Sequence, residues 1–275
     1  MTSHRFRKEL KIARNTARQA GEIALKHYKK GIQVTIKEDN SPVTAADREI
    51  DSFINHELAT HFPGDAILSE ESKASPDRHT NARLWCVDPI DGTKEFIAKN
   101  GEFVVMIGLA VRGEAVLGVV YQPTTGFLIW GCDDASGVEN SDPEATVRVS
   151  STHQFTDSTL MISRRRDSAP IRETGDALGI KHYAPMGSLG LKLAQLALGK
   201  AEIYISFSNL AKEWDTCAPE AILRAAGGIV TDGLARPLRY NKKDFGTHYG
   251  IVATNGILHQ PCLDAVSPYV QEQGW

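Results

Sequence analysis

The chain has 275 residues, of which 41% are hydrophobic and 24% charged, the make-up of a globular protein with room for one large domain or two ordinary ones. Its 31 Lys and Arg against 34 Asp and Glu leave a net charge of −3, and no polybasic arm stands out, which argues against a nucleic acid polymer or an anionic membrane surface as partner. The longest apolar run, FVVMIGLAV, is far too short for an integral membrane segment.

Residues 6–29 carry Leu10, Ile12, Ala13, Ala17, Ala20, Ile23, Ala24 and Tyr28 at helical spacing, and Gly31 ends that helix. The same stretch lacks the uninterrupted apolar core of a signal peptide. A short strand, QVTIK, follows. Ser41-Pro42 marks a turn, and Thr44 is placed to cap a helix with Ile50, Phe53, Ile54 and Leu58 on one face. FPGDAILSEES reads as turn, strand and acidic loop, and RLWCVDP as a strand. GEFVVMIGLAVRGEAVLGVVYQP is a hairpin around Arg-Gly-Glu, and GFLIWGC a third strand. Residues 133–146 are polar and turn-rich, a candidate domain junction. Beyond them strands alternate with helices: TLMISR, a helix before Gly179, HYAPMGSLGLKLAQLALGKAEIYIS as strand, turn, helix and strand, EWDTCAPEAILRAAGG as a helix, then IVTDGLARPLRY and YGIVATNG as strands. The pattern predicts an α/β protein with an α+β half over 1–146 and an α/β half over 147–275. The four cysteines, Cys86, Cys132, Cys217 and Cys262, form no CxxC pair. That argues against a zinc site and for a reducing, cytoplasmic setting.

The chemistry concentrates in WCVDPIDGTKEF, residues 85–96. Pro89 fixes its own φ, Gly92 permits an unusual turn, and Thr93 can cap the helix that follows. Asp88 and Asp91 then sit where a strand turns into a helix, beside the Gly92 and Thr93 amides, a natural phosphate site. Asp88, Asp91 and the Ile90 carbonyl are hard oxygen donors of the kind Mg²⁺ takes. Asp-Pro and Asp-Gly are also ordinary turn formers. Other acids recur at element ends, however: Asp47 in SPVTAAD, Glu70 and Glu71 in SEES, Glu213 and Asp215 in EWDT. Their convergence without a cation would be costly.

Four segments in order, SPVTAAD, LSEES, WCVDPIDGTKEF and EWDTCAPEAILRAAGG, resemble the lithium-sensitive, magnesium-dependent phosphomonoesterases of the inositol monophosphatase superfamily. DGTKEFI followed by NGEFVVMIGLA is similar to its CysQ-type 3'(2'),5'-bisphosphate nucleotidases. The resemblance implies a layered αβαβα sandwich with a site between its halves. It implies Glu70, Asp88, the Ile90 carbonyl, Asp91 and Asp215 as ligands of two or more Mg²⁺, with Glu71 beside them. It implies Asp47 and Thr93 as the pair that activates water, and the Gly92 and Thr93 amides as phosphate donors. In the second half, Gly187, Ser188 and Asp215 are expected to meet a small phosphorylated substrate, with Lys192 near them. A homodimer is compatible with the family. Arg164, in SRRRDS, and Lys37 read either as phosphate contacts or as solvated charges.

The expected reaction is hydrolysis of 3'-phosphoadenosine 5'-phosphate to AMP and phosphate. ISFSNLAKEWDT departs from the nucleotidase pattern before Glu213, which keeps inositol 1-phosphate or another small sugar phosphate open as substrate. A non-catalytic nucleotide or metal sensor is the reading from another class. His56 and His61 stand five apart, wrong for the HExxH zinc motif, and no Gly-x-Ser-x-Gly elbow supports serine hydrolysis.

Overall fold

The structure, a computed structural model, describes residues 5–37, 41–133, 135–139, 146–165 and 169–272. Helix α1 (Arg7–Lys30) buries Leu10, Ala13, Ala17, Ala20 and Ala24 along one stripe and stops at Gly31, where φ is 112°. An antiparallel ribbon, β1 (Val34–Ile36) and β2 (Pro42–Thr44), leads into α2 (Ala45–His61). The pairing at Pro42 extends the expected Ser-Pro turn into a strand, on a two-stranded edge where proline costs no ladder bond.

Then come β3 (Ala66–Ser69), β4 (Arg83–Asp91), α3 (Thr93–Ala98), β5 (Val104–Val111), β6 (Glu114–Gln122), β7 (Phe127–Cys132) and β8 (Ala135–Val138). They form one sheet in the order β3-β4-β5-β6-β7-β8, antiparallel except for β3 beside β4. Strand β8 lies inside the polar stretch 133–146 and adds an edge to β7. Residues 134 and 140–145 of that stretch fall outside the described residues.

The second sheet gathers β9 (Thr159–Ser163), β10 (His182–Met186), β11 (Ile203–Ser206), β12 (Ile229–Thr231) and β13 (Ile251–Thr254) in the order β10-β9-β11-β13-β12. Helices α4 (Ala169–Ala177), α5 (Leu189–Ala197), α6 (Glu213–Ala225) and α7 (His259–Glu272) complete the chain. IVTDGLARPLRY is strand only as far as Thr231. Beyond it, Asp232 accepts the amides of Leu234 and Arg236 at 2.9 Å and closes a turn.

Strand alternation assigns the layers. In β5, Val105, Ile107 and Leu109 pack with α1 and α2, while Val104, Met106 and Ala110 face α5 and α6. In β9, Met161 joins that second cluster, while Leu160 and Ile162 pack with Ile171 of α4 and Val266 of α7. Helix, sheet, helix, sheet, helix is the αβαβα sandwich, with α5 and α6 as its central layer. Glycines let α6 settle onto the first sheet. A Cβ on Gly131 would lie 2.5 Å from Ile222 Cα, and one on Gly118 would strike the Ala218 carbonyl. Among the described residues, no helix is long and apolar enough to cross a membrane.

Candidate active site

The site is built where β4 hands over to α3. The β4–β5 register slips between Asp88 and Asp91, and the Ile90 amide donates to Asp88 Oδ1 at 3.0 Å. Gly92 then turns with φ at 97°, and a Cβ there would sit 2.8 Å from the Glu102 carbonyl. Only glycine meets both demands. Thr93 starts α3 and donates its hydroxyl to Ile90 O at 3.2 Å.

Asp88 is 1% exposed. Burial pushes its carboxyl well above the ordinary range, and Glu70, Asp91, Asp215 and Asp47 push it further, in that order. Five carboxylates from α2, β4, α6 and the loop after β3 thus converge. Asp215 is raised to about 8 by burial first and by Glu70 next, against the pull of the Lys212 amide, which donates to Oδ2 at 2.6 Å. Glu70 and Asp47 are raised by burial.

Each outer carboxylate is held by a donor of the protein. Asp47 Oδ2 accepts the Thr44 amide at 2.8 Å and the Thr44 hydroxyl, the return half of a capping box. Its other oxygen, Oδ1, is buried and has no partner. Asp91 Oδ2 accepts the Gly190 amide at 2.7 Å and the Ser188 hydroxyl. Lys37 Nζ stands 3.0 Å from Glu70 and also pairs with Glu71. Burial raises the Glu71 carboxyl to about 7, and the nearby Glu70 adds to that.

So turned, no group of three or more His, Cys, Asp or Glu among the described residues is arranged to hold a metal ion. The chemistry of the cluster nevertheless fits a hard divalent cation. The donors are carboxylate oxygens, they raise one another's pKa, and one buried oxygen is orphaned.

Glu213 does not join the cluster, although it shares the EWDT motif. Its carboxylate accepts the amides of Asn241 at 2.7 Å and Lys242 at 2.9 Å. Ser188 is fully buried and caps α5 through the Leu191 amide at 3.0 Å while it holds Asp91. Gly187 turns its amide to Glu102 at 2.8 Å. Lys192 is buried and donates to Gly187 O at 3.0 Å, its ammonium over the Tyr204 ring. Arg164 grips Glu102, and residues 166–168 of its basic run fall outside the described residues.

Sequence reasoning passed over three supporting acids. Asp51 takes the hydroxyls of Ser69 and Ser72, which flank Glu70 and Glu71. Glu95 and Glu102 take Arg165 and Arg164. A helical residue four after Asp47 is the only hint of Asp51. Nothing local marks the partners of the other two.

An αβαβα sandwich with buried acids gathered at its β4–α3 turn is the sugar-phosphatase type of protein. The inositol monophosphatase family matches residues 7–271, and the chain belongs to that family. It is 36% identical over 233 residues to the 3'(2'),5'-bisphosphate nucleotidase CysQ of Escherichia coli K12, covering 83% of this chain and 92% of that protein. Among solved structures it is similar to CysQ from Bacteroides thetaiotaomicron, with TM-score 0.75 and 31% identity over 91% of this chain and 98% of that one. It is also similar to the inositol monophosphatase from Anabaena, with TM-score 0.80 and 27% identity over 96% of each chain.

Proposed function

We propose that the protein is a Mg²⁺-dependent phosphomonoesterase, a 3'(2'),5'-bisphosphate nucleotidase that releases phosphate and AMP from 3'-phosphoadenosine 5'-phosphate. The observation that carries the phosphatase reading is the convergence of Asp47, Glu70, Asp215 and Asp91 on the buried Asp88. The substrate follows the names of the CysQ relatives at 36% and 33% identity. In this reading Glu70, Asp88, the Ile90 carbonyl, Asp91 and Asp215 would hold the Mg²⁺ ions. When bound, Mg²⁺ supplies positive charge that acidifies water and offsets charge on the phosphoryl oxygens. The Thr93 hydroxyl and the Asp47 carboxylate orient the attacking water and take its proton. The Gly92 and Thr93 amides face the phosphoryl oxygens. Asp215, in the first turn of α6, is assigned to the leaving group as well.

An inositol phosphate is the second reading, favoured by the TM-score of 0.80 to the Anabaena inositol monophosphatase. Phosphate release from 3'-phosphoadenosine 5'-phosphate and from inositol 1-phosphate, at matched low concentrations with Mg²⁺, separates the two. The expected result is strong preference for the nucleotide, with Asp91→Asn inactive on both and still folded. Preference for the inositol ester would reassign the substrate. Full turnover by Asp91→Asn would remove the mechanism, and nucleotide binding without turnover would favour a sensor.

A further inference from the structure

Glu102 lies outside the acid cluster, yet it is bonded to the turn that holds one member of it. Its carboxylate accepts the Gly187 amide at 2.8 Å and Arg164 Nε at 2.8 Å. Arg164 in turn spans the end of β10: its Nη2 donates to Pro185 O at 3.0 Å and its amide to Met186 O at 3.1 Å. Residues 185–187 are therefore clamped by one arginine and one glutamate. The next residue, Ser188, gives its hydroxyl to Asp91, and Gly190 gives its amide at 2.7 Å. Gly187 also lies against Glu95, where a side chain would strike Glu95 Cγ. Glu95 is 3% exposed and takes Arg165 Nε at 2.6 Å. The β10–α5 turn thus has no slack toward α3. A carboxylate fixed by two donors on one short turn inherits the position of that turn.

We propose that Glu102 is a positioning residue for the phosphatase reaction: through the Gly187 amide and Arg164 it sets the β10–α5 turn, and through Ser188 and Gly190 it sets the rotamer of Asp91. This rests on the function proposed above, and Glu102 acts through its bonds to the Gly187 amide and Arg164. The charge pair is part of the device. Burial is modest, with Arg164 and Glu102 side chains 40% and 20% exposed, so the clamp acts by geometry rather than by a large contribution to stability.

The test compares Glu102→Ala and Glu102→Gln with the native chain by two readouts. The first is kcat and KM for 3'-phosphoadenosine 5'-phosphate with saturating Mg²⁺. The second is amide hydrogen exchange at Gly187 and Gly190 in the metal-free protein, which needs no activity. Glu102→Ala is expected to lower kcat about 10- to 100-fold, the usual cost of losing a group that orients a metal ligand, with KM within about twofold. Its Gly187 and Gly190 amides exchange faster by about tenfold or more, a change that follows loss of the 2.8 Å and 2.7 Å bonds. Glu102→Gln keeps an acceptor for Gly187 and restores most of both. Native kcat in Glu102→Ala, or unchanged exchange at Gly190, overturns the proposal. A rise in KM at constant kcat also overturns it, because that is a substrate contact. If the native chain hydrolyses neither phosphate ester, the functional reading fails, while the exchange data still decide the placement of the turn. Should Glu102→Ala not fold, Arg164→Gln, which removes the guanidinium half of the clamp and leaves Glu102 in place, reads the same two quantities against the same outcomes.

Discussion

At the scale of single residues, the site depends on a few donors that keep charged oxygens in place. Thr44 is the clearest. Its amide and hydroxyl both go to Asp47 Oδ2, and the Asp47 amide returns to the Thr44 hydroxyl at 3.4 Å. The same threonine therefore starts α2 and aims the proposed proton acceptor. Thr44→Val deletes the hydroxyl and keeps the shape. Loss of a helix cap costs about 1 kcal/mol, to be read as a lower denaturation midpoint. The loss of activity should be larger than that instability explains, because Asp47 gains freedom. Thr44→Ser should recover both. Equal activity in Thr44→Val and the native chain would show that Asp47 does not need this hold. The acids themselves were legible in the chain: Asp47 and Asp215 lie in the first turns of α2 and α6, Glu70 just after β3, and Asp88 and Asp91 in the closing residues of β4, each within a recognisable motif. Their holders were not. At Ser188, a glycine-serine turn gives no clue that its hydroxyl meets a carboxylate 97 residues away.

At the scale of elements, periodicity fixed what lies within a helix or strand and was silent on what lies between them. Helix α1 runs over Arg7–Lys30 against an expected 6–29, and the hairpin β5–β6 stands where two apolar runs flank Arg-Gly-Glu. Strand β8 was hidden because Ala135–Val138 has too little apolar weight to announce an edge strand. Helix α6 hides more. It carries Asp215 at one end, and farther along it buries Glu220 at 3% exposure with the Tyr240 hydroxyl on its carboxylate. Burial raises Glu220 to about 7. Between the ordinary 4.5 and 7 the folded state keeps a proton that the unfolded chain releases, so stability falls as pH rises through that window. His259 works the other way. Buried between Thr231 and Thr254, it is lowered to about 4. The unfolded state alone binds a proton between 4 and 6.5, so stability rises with pH there. The two slopes oppose each other in the native chain. Glu220→Gln keeps an acceptor for Tyr240 and removes the falling slope. The variant is expected to gain on the native chain from pH 4.5 to 7, by up to about 3 kcal/mol. Urea midpoints across pH 4.5–8 measure it. A constant difference between the two chains would show that Glu220 is ionised in the fold throughout.

At the scale of the whole molecule, the acid cluster draws on α2, the loop after β3, β4 and α6, so elements on both faces of the first sheet share one electrostatic cost. Without a cation that cost opposes folding, since each carboxylate raises the pKa of the others. A bound divalent ion converts it into stabilisation by mass action. At a concentration 100 times its Kd an ion adds about 2.7 kcal/mol, which for a chain of this size is a rise in melting temperature of about 5–10 °C. Neutralising the buried centre separates the two effects. Asp88→Asn removes the charge that Glu70, Asp91, Asp215 and Asp47 all repel, so the metal-free variant should melt above the metal-free native chain. It should also lose most of the Mg²⁺-dependent rise, because the oxygen best placed among the other four is no longer anionic. Melting curves of both chains in chelator and in millimolar Mg²⁺ give the four temperatures needed. A variant that is less stable without metal would mean that what the Asp88 carboxyl does in the fold, its bond to the Ile90 amide included, outweighs the repulsion. A native chain indifferent to Mg²⁺ would mean that the carboxylates, held by Thr44, Lys37, Ser188 and Lys212, do not take up the ion.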